Sequence, residues 1–140
     1  MPKLVMALLV VQLVGGAYMF FVHSASGAEW STARATRLPS LVVFGHATLG
    51  LVSPTLWIGY LAVRDEWLVW ATLASLLASA AGGLFLLSRT AGRSELLHEP
   101  AGDPADVRVI EKQIPKTVLL GHGLGAALLV GSVLVVGLMA

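Results

Sequence analysis

A stretch of 24 residues without a charged side chain, TVLLGHGLGAALLVGSVLVVGLMA, occupies residues 117–140. Residues 4–28, 38–63 and 67–88 also contain no Asp, Glu, Lys or Arg, and the four stretches are 22–26 residues long. A helix needs about 20 mostly apolar residues to cross the hydrocarbon core of a bilayer. The sequence therefore predicts an all-α integral membrane protein with four transmembrane helices. These are expected at about residues 4–22, 39–63, 67–88 and 115–139.

The composition excludes several other classes of protein. Only 12% of the residues are charged, whereas soluble domains carry about 25%, so a soluble enzyme, a nucleic-acid binder and a disordered chain are excluded. The strands of a membrane β-barrel alternate over segments of about 10 residues, a pattern that is not found here. The chain has no Cys, which excludes disulfides, thiolate metal sites and Cys nucleophiles. No hydrolytic or nucleophilic site is recognised, and the expected surroundings are a lipid bilayer without a nucleic-acid partner.

The short connections predict an up-down-up-down four-helix bundle that forms a single domain, residues 1–140. Loops 23–37 and 89–116 hold seven of the nine Lys and Arg residues. Because positive residues favour the cytoplasmic side, both loops are expected in the cytoplasm and both termini outside, in an inner or plasma membrane. The first apolar run of about 19 residues exceeds the 7–15 of a signal peptide, so it is expected to remain as a membrane helix.

A nine-residue segment occurs twice in the chain. Residues 38–46, LPSLVVFGH, align without gaps to residues 114–122, IPKTVLLGH, at an offset of 76. Pro, Val, Gly and His are identical at matched positions, and a glycine pair recurs at 15–16 and 82–83. We therefore predict a parallel duplication of a two-helix unit, with repeat units at about residues 1–63 and 67–140.

The duplication places His46 and His122 at the same depth in the membrane. Each lies seven residues past its proline, about 10 Å inside the cytoplasmic helix ends at 1.5 Å per residue. Helices two and four are expected to be diagonal partners roughly 11–14 Å apart, from a neighbour spacing of about 8–10 Å. Such a gap is too wide for the imidazoles to touch and suits a metal between them. Alternatively, each His is neutral and bonded to a backbone carbonyl, Ser or Thr.

Ionisable residues inside a membrane indicate a functional site, and the histidine pair favours haem iron over zinc. Zinc needs three or four protein ligands, and no Cys or carboxylate lies at this depth. Haem iron needs only two axial ligands, because the porphyrin fills the other positions. Glycines would leave room for the macrocycle, although they are also typical of close helix packing, and cations would meet the propionates. The predicted cofactor site comprises His46, His122, Gly45, Gly50, Gly121, Gly125, Arg34, Arg37 and Lys116.

Paired histidines on two helices of a bundle, each beside a glycine, resemble the four-helix b-type membrane cytochromes. These include cytochrome b subunits of dehydrogenases and transmembrane ferric-reducing and ascorbate-reducing proteins. The resemblance covers the second and fourth helices and implies haem b, with His46 and His122 as axial ligands and metal-binding residues. It implies electron transfer or haem handling, as a component of an oxidoreductase, with a quinone or a larger respiratory complex as partner.

The chain departs from this family in having one histidine pair, whereas many members have a pair near each face. His23 and His98 have no duplicated partner and are expected to be solvated. One haem near one face cannot by itself carry electrons across about 30 Å of hydrocarbon.

Two other functions remain open. The chain could be a non-catalytic accessory subunit of a larger membrane complex, which visible absorption would distinguish from a cytochrome. It could also assemble with itself as a small transporter component, although the repeat is parallel rather than inverted and no acidic residue lies in the membrane stretches. Gln12 and Ser53 are expected to form interhelical hydrogen bonds, or alternatively to bind a quinone headgroup.

Overall fold

A computed structural model describes residues 1–25, 38–91 and 114–139 of the chain. This part contains four helices and no strand, and each helix includes an apolar span long enough to cross a membrane, with a mean hydropathy of 1.6–2.2. The helices are α1 (Pro2–Ala25), α2 (Ser40–Val63), α3 (Trp67–Ala91) and α4 (Lys116–Met139). The prediction of an all-α chain with four helices is therefore confirmed for the described residues, and the length and apolar composition of these helices suggest a multi-pass membrane protein.

The helix bounds differ from the expected ones mainly at the ends of α1 and α3. The first helix begins at Pro2 and continues to Ala25, and the third continues to Ala91. The backbone hydrogen bonds of a helix do not stop where the side chains become polar. The lengths of the apolar stretches therefore underestimate the lengths of these two helices. The second and fourth helices begin one residue later than expected, directly after Pro39 and Pro115.

Both of these prolines make the same hydrogen bonds at the helix starts. The carbonyl of Pro39 accepts from the N–H groups of Val42 at 2.9 Å and Val43 at 3.1 Å. The carbonyl of Pro115 accepts at 3.0 and 3.1 Å from the N–H groups three and four residues on. A proline beside the first turn loses no helical bond, because its missing N–H would have no partner there.

A three-residue turn connects α2 to α3. Arg64 ends α2 in the left-handed conformation, with φ 59°, and its N–H donates to the carbonyl of Tyr60 at 2.8 Å. The Arg64 guanidinium lies 5.7 Å from the centre of the Tyr60 ring. On the other side of the turn, Trp70 Nε1 donates to Glu66 Oε1 at 3.2 Å. The turn therefore joins two helices that pack against each other.

The helices pack as a ring in which α1 and α3 each contact α2 and α4, and the α2–α3 interface is the most extensive. A cluster of buried apolar side chains fills the end of the bundle that holds the α2–α3 turn. At its centre the fully buried Trp57 donates from Nε1 to the carbonyl of Pro2 at 3.2 Å. The cluster comprises Val5, Leu9, Trp57, Tyr60, Leu68, Val69, Leu73, Leu76, Leu129, Val133 and Val136. The histidine pair lies in the other half of the bundle.

Candidate histidine site between α2 and α4

The side chains of His46 on α2 and His122 on α4 lie close to each other inside the bundle. Their ring centroids are 6.3 Å apart and their planes are inclined by 77°. The expectation that the imidazoles do not touch and leave room for a metal between them stays a prediction. The expected gap of roughly 11–14 Å refers to the axes of the two helices, whereas the rings are carried by side chains that extend from those axes.

The ring of His46 is oriented by α3. Its Nδ1 lies 2.8 Å from the carbonyl oxygen of Ser79 and 3.1 Å from the Ser79 hydroxyl. A carbonyl only accepts hydrogen bonds, so Nδ1 carries the proton and Nε2 presents a lone pair. Metal-binding histidines commonly make this bond through their other nitrogen. It is also the bond that a purely structural histidine would make, so it is compatible with both interpretations of His46.

The ring of His122 has different surroundings. Its Nδ1 is buried and has no hydrogen-bond partner among the described residues. The side-chain oxygen of Gln12, on the neighbouring helix α1, is also buried without a partner in this part of the chain. The two histidines therefore match in sequence and depth but differ in how their rings are held.

The two glycine pairs lie against the histidine rings. A Cβ atom added at Gly83 would lie 3.1 Å from Cε1 of His46, and one at Gly82 would lie 3.4 Å from Cβ of His46. On the other side, added Cβ atoms at Gly15 and Gly16 would each lie 3.5 Å from the His122 ring. Each glycine pair therefore packs against the histidine of the other predicted repeat unit.

The predicted lining glycines on α2 and α4 are not in these contacts. A Cβ atom added at Gly45, Gly50 or Gly121 would meet no atom within 4 Å among the described residues. At Gly125 it would collide with the side-chain amide of Gln12. The close contacts with the imidazoles thus come from α1 and α3. The feature of the sequence that points to these contacts is the recurrence of the glycine pair.

The predicted cations are only partly described. Lys116 is exposed at the first residue of α4. Arg34, Arg37 and His98 lie outside the described residues, as does the side chain of His23. The structure therefore leaves the arrangement of propionate-binding groups as a prediction.

The donor atoms at the site are two imidazoles. No group of three or more His, Cys, Asp or Glu side chains suited to a metal occurs in residues 1–25, 38–91 and 114–139, so these residues do not form the three- or four-ligand set of a zinc site. An open groove of about 230 Å³ lies along one face of α2, beside Thr48 and Thr55, and neither histidine lines it.

Comparison of the chain with protein-family models, with characterised proteins and with solved structures found no match. A functional conclusion therefore depends on the histidine pair, the glycines beside it and the polar groups around it.

Proposed function

We propose that this chain is a small integral membrane b-type cytochrome that holds one haem between α2 and α4, with His46 and His122 as axial ligands. The observation that carries the proposal is that two imidazoles from different helices lie with their ring centroids 6.3 Å apart. A metal held about 2 Å from each of two imidazole nitrogens keeps those nitrogens about 4 Å apart. The centroid distance is compatible with that separation, because each centroid lies behind its nitrogen.

The surrounding residues fit a haem better than a bare metal ion. His46 already presents Nε2 as a free lone pair, because Nδ1 donates to Ser79. Haem brings its own equatorial ligands, so two imidazoles complete the coordination. The helices flanking the ligands carry Gly15, Gly16, Gly82 and Gly83 against the rings, where larger side chains would fill the space that a macrocycle needs. When bound, haem iron would supply one-electron transfer.

The depth of the pair supports electron exchange at one face of the membrane. His46 and His122 each lie six residues after the first residue of their helix, about 9 Å along the axis. An electron donor on that side could approach the site, with a quinone or a partner subunit as acceptor. Haem handling is the other role compatible with a single site near one face.

Three features support the proposed duplication. Pro39 and Pro115 make the same pair of backbone hydrogen bonds at the starts of α2 and α4. Each glycine pair lies against the histidine of the other unit. Finally, Gln12 and Ser79 occupy equivalent places, three residues before those glycine pairs.

Contacts between neighbouring helices support the up-down-up-down topology. On α1 and α4, Gly15 lies against His122, whereas the earlier Gln12 lies against the later Gly125. On α2 and α3, His46 lies against Gly83 and the later Gly59 lies against the earlier Leu68. Both pairs therefore run antiparallel. The excess of Lys and Arg in loops 23–37 and 89–116 favours the cytoplasmic side for those loops, in an inner or plasma membrane.

Visible spectroscopy tests the proposal. Protein expressed with haem available and purified in detergent should show a reduced-minus-oxidised spectrum of a low-spin b-type haem. A protein that remains colourless after haem reconstitution would contradict the proposal. That result would favour the accessory subunit, for which the specific support is that His46 already has a protein hydrogen-bond partner.

A further inference from the structure

Two buried polar atoms in the described residues have no hydrogen-bond partner, and both lie at the α1–α4 interface. They are Oε1 of Gln12 and Nδ1 of His122. A carboxamide oxygen accepts hydrogen bonds, and an imidazole nitrogen that carries its proton donates one. The two atoms are therefore chemically complementary, and a buried polar group is normally hydrogen-bonded.

The two side chains are neighbours along this interface. The His122 ring lies against Gly15 and Gly16 of α1, the positions one helical turn after Gln12. The Gln12 amide lies against Gly125 of α4, the position nearly one turn after His122. One turn is about 5.4 Å along the axis, a distance that rotation about the side-chain torsions of Gln12 can cover.

The equivalent position in the other half of the chain already orients a histidine. Ser79 lies three residues before Gly82, as Gln12 lies three residues before Gly15, and the Ser79 carbonyl accepts from Nδ1 of His46. We infer that Gln12 is the positioning residue of His122: its Oε1 accepts the Nδ1 proton and leaves Nε2 of His122 free. The relevance for ligand binding rests on the proposed function, but the hydrogen bond itself does not.

The inferred bond would give both histidines the same protonation pattern. His46 would be held by a backbone carbonyl, which no side-chain substitution removes. His122 would be held by a side chain, so substitution of Gln12 would remove its bond. Loss of a partner that orients a metal-binding histidine typically lowers affinity about 10–100-fold.

Nuclear magnetic resonance of the full chain in detergent, prepared without haem, tests the bond directly. With 15N-labelled histidine, a protonated and an unprotonated ring nitrogen have separate chemical shifts. We expect His122 to carry its proton on Nδ1, as His46 does. A His122 ring protonated on Nε2 would overturn the inference.

Substitutions distinguish this bond from general packing. Gln12→Leu should change the tautomer or the Nδ1 shift of His122 and leave His46 unchanged. Gly131→Ala is the control on α4, because no atom lies within 4 Å of its added Cβ, and it should leave both histidines unchanged. A His122 signal that does not respond to Gln12→Leu would overturn the inference.

A second measurement applies to the haem-bound protein. Gln12→Leu should lower haem affinity about 10–100-fold and raise the reduction potential, since the imidazole becomes a weaker electron donor. Gln12→Glu should lower the potential instead. Shifts of the same sign in both variants would overturn the positioning role. A colourless protein whose His122 still carries its proton on Nδ1 would contradict the cytochrome and retain the bond.

Discussion

His46 and His122 come from the same sequence motif, yet the residues that hold them differ in kind. The Nδ1 atom of His46 donates to a backbone carbonyl, whereas Nδ1 of His122 has no partner among the described residues and is inferred to bond to the side chain of Gln12. A buried polar group left without a partner costs about 1–3 kcal/mol. The α1–α4 side of the site therefore depends more on individual side chains than the α2–α3 side does.

The ligand assignment predicts equal effects of removing either histidine. His46→Ala and His122→Ala should each abolish haem retention or lower haem content at least about tenfold, because one axial bond is lost and a cavity remains beside the iron. The haem-to-protein ratio in purified, reconstituted samples measures this. His23→Ala and His98→Ala are the controls and should retain the spectrum. Loss of haem in His23→Ala together with full retention in His122→Ala would contradict the pairing.

The glycine contacts predict that one added methyl group disturbs the site. Gly83→Ala would place Cβ 3.1 Å from Cε1 of His46, and overpacking of this kind costs about 1–3 kcal/mol. The variant should lose haem affinity and unfold at a lower temperature, as followed by absorbance and circular dichroism. Gly131→Ala, where nothing lies within 4 Å of the added Cβ, should match the wild type. Equal stability and haem affinity in both variants would show that the Gly83 contact is unimportant.

The sequence predicts the depth of the histidines but not the contacts that their rings make. Equal spacing from Pro39 and Pro115 places both rings at one level, since the rise per residue of a helix is fixed. The bond from His46 to Ser79 depends on how α3 is rotated and how closely it approaches. Charge-free stretches contain no such information, and a serine in them is compatible with many hydrogen-bond partners.

Hydroxyl groups connect α2 to α3 between the apolar cluster and the histidines. Ser53 Oγ donates to the carbonyl of Leu49 at 2.9 Å and lies 3.1 Å from Ser75 Oγ. Ser75 Oγ donates to the same carbonyl at 3.3 Å. Small side chains and hydrogen bonds are what associate helices within a bilayer, where burial of apolar surface contributes little. This arrangement is consistent with α2–α3 being the most extensive interface.

Removal of one interhelical hydroxyl should weaken the bundle by a small amount. Ser75→Ala loses the bond to Leu49 of α2 and should lower the free energy of unfolding by about 0.6 kcal/mol, and by no more than about 1.7. Unfolding in mixed detergent micelles measures this. Ser132→Ala is the matched control, because the Ser132 hydroxyl bonds only within α4, to the carbonyl of Leu128. Equal effects of both substitutions would mean that the hydroxyl contact between α2 and α3 contributes nothing.

At the level of helices, the distribution of charged residues predicts the number and positions of the helices well and their ends less well. All four helices cover the expected stretches because a bilayer requires an apolar segment of fixed length. Beyond Val22 and Ser88, helices α1 and α3 continue through polar residues to Ala25 and Ala91, since those residues can keep helical backbone bonds outside the hydrocarbon. Backbone preference rather than hydropathy decides where a helix ends.

The whole bundle divides into an end that stabilises it and an end that carries the site. All four helices contribute to the buried apolar cluster near the α2–α3 turn, and many outward apolar side chains are exposed, which is compatible with contact with a lipid bilayer. The histidines, Gln12 and Ser79 lie towards the other end. Substitutions around the histidines should therefore alter ligand binding without removing the main packing contacts.

The proposed orientation of the bundle rests on the distribution of Lys and Arg in the sequence. Loops 23–37 and 89–116 contain seven of the nine, and positive residues favour the cytoplasmic side. The α2–α3 turn, with Arg64 as its only Lys or Arg residue, is expected outside together with both termini. The histidine pair then lies near the cytoplasmic face, where a soluble electron donor could reach it.

Single introduced cysteines test this orientation, because the chain contains no Cys and the wild type is an unlabelled control. Asp65→Cys, in the exposed α2–α3 turn, should react with a membrane-impermeant thiol reagent in intact cells. Arg89→Cys, exposed near the opposite end of α3, should react only after permeabilisation, since it is expected on the cytoplasmic side. The reverse pattern would place the histidines near the outer face and would require an electron donor on that side of the membrane.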